Sequence, residues 1–230
     1  SLKFTGFEMP SEDVLISGVF ERIGIDNSFY TIKVNGEKIK KEVELPNHKV
    51  AFEILIKELM DNKIVESLDE IKGVGHRVVH GGDKYADSTI INKHVTDTIR
   101  ELFHLAPLHN PANLMGIEAF QEYIPEAPNV AVFDTGFPQS MPEESYTYAI
   151  PYEWTKKYGA RKYGFHGISH EYLTETMKKE LGKEDINLIT CHLGNGSSIF
   201  AIKDGKCFDT SLGFSTNSGL VMGTRCGDID

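Results

Sequence analysis

The sequence predicts an α/β fold, and three observations carry that prediction. Short apolar runs of strand length, Asn129 to Phe133 and Ile186 to Cys191, are interspersed with longer segments whose apolar residues recur at helical spacing. Asp134 stands at the carboxyl end of the first run, where α/β sheets gather their ligand-binding side chains. Histidine, arginine and aspartate also cluster at glycine turns and strand ends.

The chain has 230 residues, 40% of them hydrophobic, enough for one large domain or two ordinary ones. Its net charge of −10 argues against a nucleic-acid partner or an anionic membrane surface, since both repel it at long range. Any anionic ligand therefore needs a local positive pocket. Cys191, Cys207 and Cys226 are odd in number and widely spaced, with no CxxC pair, which predicts reduced thiols and a cytoplasmic location. No apolar run approaches the roughly 20 residues that span a bilayer, and no basic-then-apolar leader opens the chain. The chain begins SLKF and stops at GTRCGDID, so both ends read as cut.

Taken in order, Ser1 to Phe7 reads as the end of a strand, and Ser11 with Glu12 and Asp13 reads as a helix start. Phe29 to Val34 and Glu37 to Leu45 are β-rich runs joined by Asn35-Gly36, the strongest short hairpin signal. Val50, Phe52, Leu55, Ile56, Leu59 and Met60 predict an amphipathic helix over Asn47 to Asp61. Gly73 to Gly82 predicts a buried strand running into a loop. A helix follows over Thr96 to Leu105, and a second opens at Asn110-Pro111, with asparagine as cap and proline in the first turn, and runs to about Tyr123. After the strand Asn129 to Phe133 the character changes near Met141-Pro142, which places a soft domain boundary near residue 140: 1–140 as one lobe, 141–230 as part of a second. Ser169 to Leu181 predicts a helix, and Ile186 to Thr210 a meander with turns at Gly194 to Gly196 and Asp204-Gly205.

The first of those turns belongs to His192 to Ser198, HLGNGSS. Glycines 194 and 196 can take backbone angles closed to other residues, so successive N–H groups can face an anion, with Asn195 and two hydroxyls beside them. An ordinary tight hairpin accounts for the same letters. Five clusters could hold chemistry: HRVVHGG (His76 to Gly82), LAPLHNP (Leu105 to Pro111), VFDTGF (Val132 to Phe137), YGFHGISH (Tyr163 to His170) and GTRCGDID (Gly223 to Asp230). Arg77 and Arg225 suit phosphoryl transfer, because a guanidinium pairs with phosphate oxygens and stays charged, although a surface ion pair explains each alone. Asp134 can orient a nucleophile, hold a hydrated Mg²⁺ or merely cap its strand. His166 and His170, spaced i,i+4, raise a zinc site with His76, His80 or His109 as third ligand. Against it, HGISH lacks the glutamate of the zinc motif, and Gly167 places His166 in a loop.

The clusters GHRVVHGGDKY, HLAPLHNPANLMGIEAF, NVAVFDT, KYGFHGISHEY, CHLGNGSS and GLVMGTRCGDID, in this order, resemble the acetate kinase family, within the acetate and sugar kinase, heat-shock-70 and actin superfamily. The resemblance implies a two-lobed, actin-like (ribonuclease H-like) α/β fold with mixed sheets and flanking helices. The lobe of residues 1–140 would carry the carboxylate side, and 141–230 the first part of the nucleotide lobe. It also implies reversible transfer of the ATP γ-phosphoryl group to acetate, giving acetyl phosphate and ADP, with Mg²⁺, in a homodimer; propionate is the alternative acceptor. On the matching positions, Arg77 binds the carboxylate, with His109 beside it; Val79, Leu108 and Phe165 wall the acyl group; Asp134, His166 and Arg225 are catalytic. His192, Leu193, Gly194, Asn195 and Gly196 form the nucleotide-phosphate loop, and Lys3 falls on an ATP-associated lysine of the motif NAGSSSLK, of which Ser1, Leu2 and Lys3 are present.

A carboxylate acceptor needs no strong base, being ionised already at neutral pH; it needs its charge masked as another anion approaches, which Arg77, Arg225 and His166 would supply. The chain departs from the family where DTGFPQSMP carries Gly136 and Pro138 in place of alanine and histidine. Ser215 to Gly219 (STNSG) likewise stands in place of TPLEG, whose proline, replaced here by Thr216, normally helps wall the acyl pocket. One methylene is worth only about 1 to 3 kcal/mol in such a pocket, so acetate and propionate stay open. The family's NAG turn, its adenosine-binding GIGEN region and a magnesium-associated glutamate fall outside these residues. Their absence predicts no kinase turnover by the 230-residue segment alone. A catalytically dead, actin-like assembly module is the reading from another class.

Overall fold

The computed structural model describes residues 1–230. In chain order its elements are β1 (Leu2–Glu8), β2 (Asp13–Glu21), β3 (Phe29–Val34), β4 (Glu37–Glu42), α1 (His48–Asp61), β5 (Val74–Val78), β6 (Thr89–Ile90), α2 (Lys93–Glu101), α3 (Asn110–Tyr123), β7 (Asn129–Phe133), α4 (Glu143–Tyr146), α5 (Tyr152–Tyr158), α6 (Gly167–Leu181), β8 (Leu188–Leu193), β9 (Ser197–Lys203) and β10 (Lys206–Thr210). The chain divides into two compact units, Ser1–Val74 with Met115–Asn129, and Gly75–Leu114 with Val130–Asp230. The α/β class is as expected. The boundaries of these units fall at Val74, Leu114 and Asn129, and none falls near residue 140.

The first unit is built on an antiparallel meander in the order β1-β2-β3-β4. Ile16, Phe20, Tyr30, Ile32 and Val34 point from it into a core closed by Ala51, Phe52, Leu55 and Leu59 of α1, with Phe120 set edge-on against Phe52 at 4.4 Å. The expected hairpin is there: Val34 pairs with Glu37, and Asn35 and Gly36 both take positive φ, which two-residue strand turns require. Asn47 caps α1 by accepting the Val50 N–H at 3.0 Å.

The helix expected from Ser11 is not formed. Asp13 to Glu21 is the strand β2, running antiparallel to β1, because Val14, Ile16, Val19 and Phe20 prefer a pleated surface and the fully buried Ile16 and Phe20 supply its core face. The Ser11 hydroxyl does accept from the Asp13 N–H as a cap would, but it also donates to the Glu8 carbonyl, and these bonds close the four-residue turn between β1 and β2.

The second unit carries two three-stranded sheets, β5-β7-β6 and β10-β9-β8. In the latter, β8, β9 and β10 form the expected antiparallel meander, with Phe200, Ile202 and Cys207 buried against Met141. Helix α2 starts three residues earlier than expected, because Asn92 accepts the Val95 N–H as its cap. Asn110, expected to cap α3, is instead fully buried and exchanges two hydrogen bonds with the backbone of His80, about 3.0 Å each.

Candidate active site

The site assembles where β5 and β7 end side by side. The Asp134 N–H bonds the Val78 carbonyl at 3.0 Å, and the Gly81 N–H bonds Thr135 Oγ1 at 2.9 Å, so the residues flanking these strand ends are locked together. Arg77 near the end of β5 therefore meets Asp134 just past β7. Its Nε donates to Oδ1 at 3.3 Å and its Nη2 forms an ion pair with Oδ2. The carboxylate is almost fully buried, whereas the arginine side chain is 61% exposed. A buried carboxylate thus aims an open guanidinium.

Helix α6 begins on the same aspartate. The Gly167 N–H bonds the Asp134 carbonyl at 2.9 Å, and a side chain at Gly167 would collide with that carbonyl and with Pro138, which packs where the family pattern has histidine. His166, at the helix cap, takes φ +62, as the loop reading of HGISH implied. Its ring stacks on His192 at 4.1 Å and 22°, and its Nδ1 lies 2.8 Å from Ser198 Oγ. His192 Nδ1 is anchored in turn by Ser169 Oγ at 3.0 Å. The His166 pKa is lowered to about 4, chiefly by burial, with the neighbouring His192 adding to the effect and Asp134 opposing it. It is a neutral imidazole at physiological pH.

The glycine turn closes the other side. Leu193 pairs with Ser197 and leaves Gly194, Asn195 and Gly196 as the loop, but neither glycine takes positive φ. Their freedom of backbone angle is not what the turn uses. Gly196 is needed for space: an added Cβ would stand 3.0 Å from Arg225 Nη1 and 3.3 Å from His166 Nε2. Arg225 is held there by the Thr216 carbonyl at 3.2 Å and Met222 Sδ at 3.6 Å, and the Gly223 N–H bonds the Asn195 carbonyl at 3.1 Å. The STNSG departure therefore bears on how Arg225 is held, through backbone at Thr216.

The second unit thus brings together Arg77, Asp134, His166, His192, Gly194 to Gly196 and Arg225. His109 lies within the field of Arg77 and Arg225, and its pKa is lowered by burial and then by those charges. Val79 and Phe165 bury together with Ala106 and Leu212 in one small apolar cluster. Leu108 does not join them and stands 86% exposed. Lys3 is an exposed residue of β1, in the first unit. Ser169 and Met222, which anchor the site, had no signal in sequence beyond their nearness to its motifs, whereas Thr216 was marked by the departure from the family pattern, though not as an anchor of Arg225.

The zinc reading falls. No three His, Cys, Asp or Glu side chains are placed to hold a metal ion. Both His170 ring nitrogens are spent on hydroxyls, Thr190 Oγ1 at 2.7 Å and Ser198 Oγ at 2.8 Å. The same test applies to the Mg²⁺ implied by the resemblance. Asp134 is paired with Arg77 and almost fully buried, so its carboxylate is not open to that ion as it stands.

Two guanidinium groups, a neutral histidine and a backbone turn thus lie together in one unit, an arrangement whose donors and positive charge suit an anionic ligand. The profile of the acetokinase family matches residues 1–230, and the chain belongs to that family. An acetate kinase of Bacillus mycoides (strain KBAB4) is 58% identical over the whole chain. The crystal structure of Porphyromonas gingivalis acetate kinase superimposes with a TM-score of 0.94 at 46% identity over 99% of this chain. That of a propionate kinase from Francisella tularensis does so with 0.93 at 45%. The chain therefore has part of the actin-like fold of this family. The chain spans 58% of the length of each of these three proteins.

Proposed function

We propose that the full-length protein is an acetate kinase, transferring the γ-phosphoryl group of ATP reversibly to acetate. The observation that carries the reading is the Asp134-aimed guanidinium of Arg77 in one unit with His166 and Arg225 at the glycine turn. Arg77 receives the acetate carboxylate and masks its charge, while Val79 and Phe165 face its methyl group. An acetate oxygen attacks the γ-phosphorus as the bond from phosphorus to the β,γ-bridging oxygen breaks, and ADP leaves with that oxygen. No proton has to be abstracted. His166, neutral and with Nε2 toward Arg225, donates a hydrogen bond to an equatorial oxygen of the phosphoryl group in flight, and Arg225 offsets its charge. The backbone N–H groups of Asn195 and Gly196, in the turn after His192 and Leu193, are the proposed phosphate cradle, the Gly194 N–H being bonded to the Gly196 carbonyl at 3.2 Å, and Lys3 is a further nucleotide contact.

Asp134 acts by holding Arg77 rather than as a base. In the full-length enzyme, Asp134→Asn should lower kcat for acetyl phosphate formation, read as the hydroxamate, by about 100-fold or more. Retention of most of the wild-type kcat at saturating Mg²⁺ would sink this role. The similarity to a propionate kinase and the STNSG departure keep propionate as a second acceptor, settled by kcat/KM for the two acids. Mg²⁺ is proposed to arrive with the nucleotide; a cytoplasmic location and a homodimer are proposed on family membership.

A further inference from the structure

Behind His166 lies a line of buried groups that the proposed chemistry does not use. Thr190 Oγ1 is 2.7 Å from His170 Nδ1, His170 Nε2 is 2.8 Å from Ser198 Oγ, and Ser198 Oγ is 2.8 Å from His166 Nδ1. His170 and Ser198 are fully buried and Thr190 is 6% exposed. Three elements supply the line: β8 carries Thr190, β9 carries Ser198, and α6 carries His170 one turn after His166. His170 is further clamped by stacking on Phe200 at 3.8 Å and 13°. Nothing in the line touches the place where the anion would sit except the far edge of the His166 ring.

The proton count along this line has two solutions in which Ser198 is used as a donor. A hydroxyl has one hydrogen and two lone pairs, so Ser198 either donates to one histidine and accepts from the other, or accepts from both, which would leave its own fully buried hydrogen without an acceptor. In one sense Thr190 donates to His170 Nδ1, His170 Nε2–H to Ser198, and Ser198 to His166 Nδ1. That leaves His166 Nε2 carrying the proton on the side of Arg225 and Gly196. In the opposite sense His166 Nε2 is a bare lone pair, and the buried Thr190 hydroxyl hydrogen has no acceptor, since His170 is its only partner. Buried donors are seldom left without one, which selects the first sense. The neutral state of both rings, with pKa values lowered to about 4 and about 3 chiefly by burial, is what such a line needs.

We infer that Thr190, His170 and Ser198 are positioning residues that fix His166 as its Nε2–H tautomer, so that its site-facing nitrogen is always a hydrogen-bond donor. Which ring nitrogen of a histidine is protonated follows from the bond made by the other one. The inference rests on the reading of His166 as donor to the transferring phosphoryl group, and supplies what that reading requires of the resting enzyme.

The test uses the full-length protein labelled with [15N]histidine, in which long-range proton–nitrogen spectra distinguish the tautomers, and measures kcat and KM in parallel. Wild type should show His166 protonated at Nε2. Thr190→Val, which keeps the shape and removes the hydroxyl three residues up the line, should turn His166 into a mixture of tautomers. The same variant should lower kcat by about tenfold or more with KM for acetate and ATP little changed. Ser198→Ala should do the same more strongly, and Thr190→Ser, which restores the hydroxyl, should recover both the tautomer and kcat. A His166 protonated at Nδ1 in wild type, or a tautomer unmoved in Thr190→Val and in Ser198→Ala, overturns the inference. His166→Ala is assayed beside them. If it keeps wild-type kcat, the functional reading of His166 falls, while the spectra still decide the relay by themselves.

Discussion

Two turns in this chain carry the dipeptide Asn-Gly between antiparallel strands, and they use the glycine for different reasons. At Asn35-Gly36 both residues take positive φ, and a Cβ on Gly36 would meet nothing within 4 Å. Glycine is there for its backbone. At Asn195-Gly196 neither residue takes positive φ, and the missing Cβ leaves room for Arg225 and His166. Glycine is there for its surface. The first turn serves folding of the four-stranded sheet, and the second serves the site, although the letters are the same.

The widest separation between the two should come from alanine at the second turn. Gly196→Ala puts a methyl group 3.0 Å from Arg225 Nη1, the far end of a flexible side chain, so the fold can yield by moving the charge. The expected result in the full-length enzyme is a kcat about 100-fold lower with thermal stability almost unchanged. A drop in Tm with normal kcat would erase the contrast.

Acid should separate the two units next. His80, His166 and His170, with pKa values lowered by burial to about 4, 4 and 3, all belong to the second unit. They are neutral when folded but bind protons near pH 6.5 once unfolded, so stability is full above pH 6.5 and falls as pH drops from there toward 4. Between pH 7 and pH 5 the fully buried His80 and His170 should each remove about 2 kcal/mol. The first unit has one counterpart, His48, also lowered by burial. Hydrogen exchange at the two pH values should show protection lost mainly in 75–114 and 130–230; equal loss in both units would remove the distinction.

The smallest effect belongs to the first turn. Gly36→Ala places an L side chain at φ +78, which should destabilise by about 1 kcal/mol in denaturant unfolding and leave kcat alone. Loss of activity there would mean that this turn, too, is functional.

How far the letters could be read varies in a physically consistent way. Asn47 before an amphipathic run, Asn35-Gly36 between β-rich runs and the apolar Asn129 to Phe133 were legible, because each is settled by bonds within a few residues. Ser11 misled because its hydroxyl accepts the Asp13 N–H in a strand-to-strand turn as it would at a helix cap, and what decides is the pairing of β2 with β1. Asn110 misled likewise, its amide being claimed by the backbone of His80, thirty residues earlier in sequence. Within the site, Arg77, Asp134, His166, Arg225 and the glycine turn stood out as motif residues. The exposed position of Leu108 and the anchors Ser169, Thr190 and Met222 did not, and Thr216 stood out only as a departure from the family pattern.

From the sequence alone came the class of fold, the reach of the family pattern over the whole chain and the residue types of an anion site, all properties of local pattern and chemical type. Tertiary structure decided that Asp134 holds Arg77 rather than standing open to a metal, that Gly196 is a matter of room rather than backbone angle, and that His170 closes a line of hydroxyls instead of ligating zinc. Each depends on which groups meet across two or three elements distant in sequence, and burial there favours the arrangement in which donors meet acceptors, a constraint that no single stretch of the chain contains.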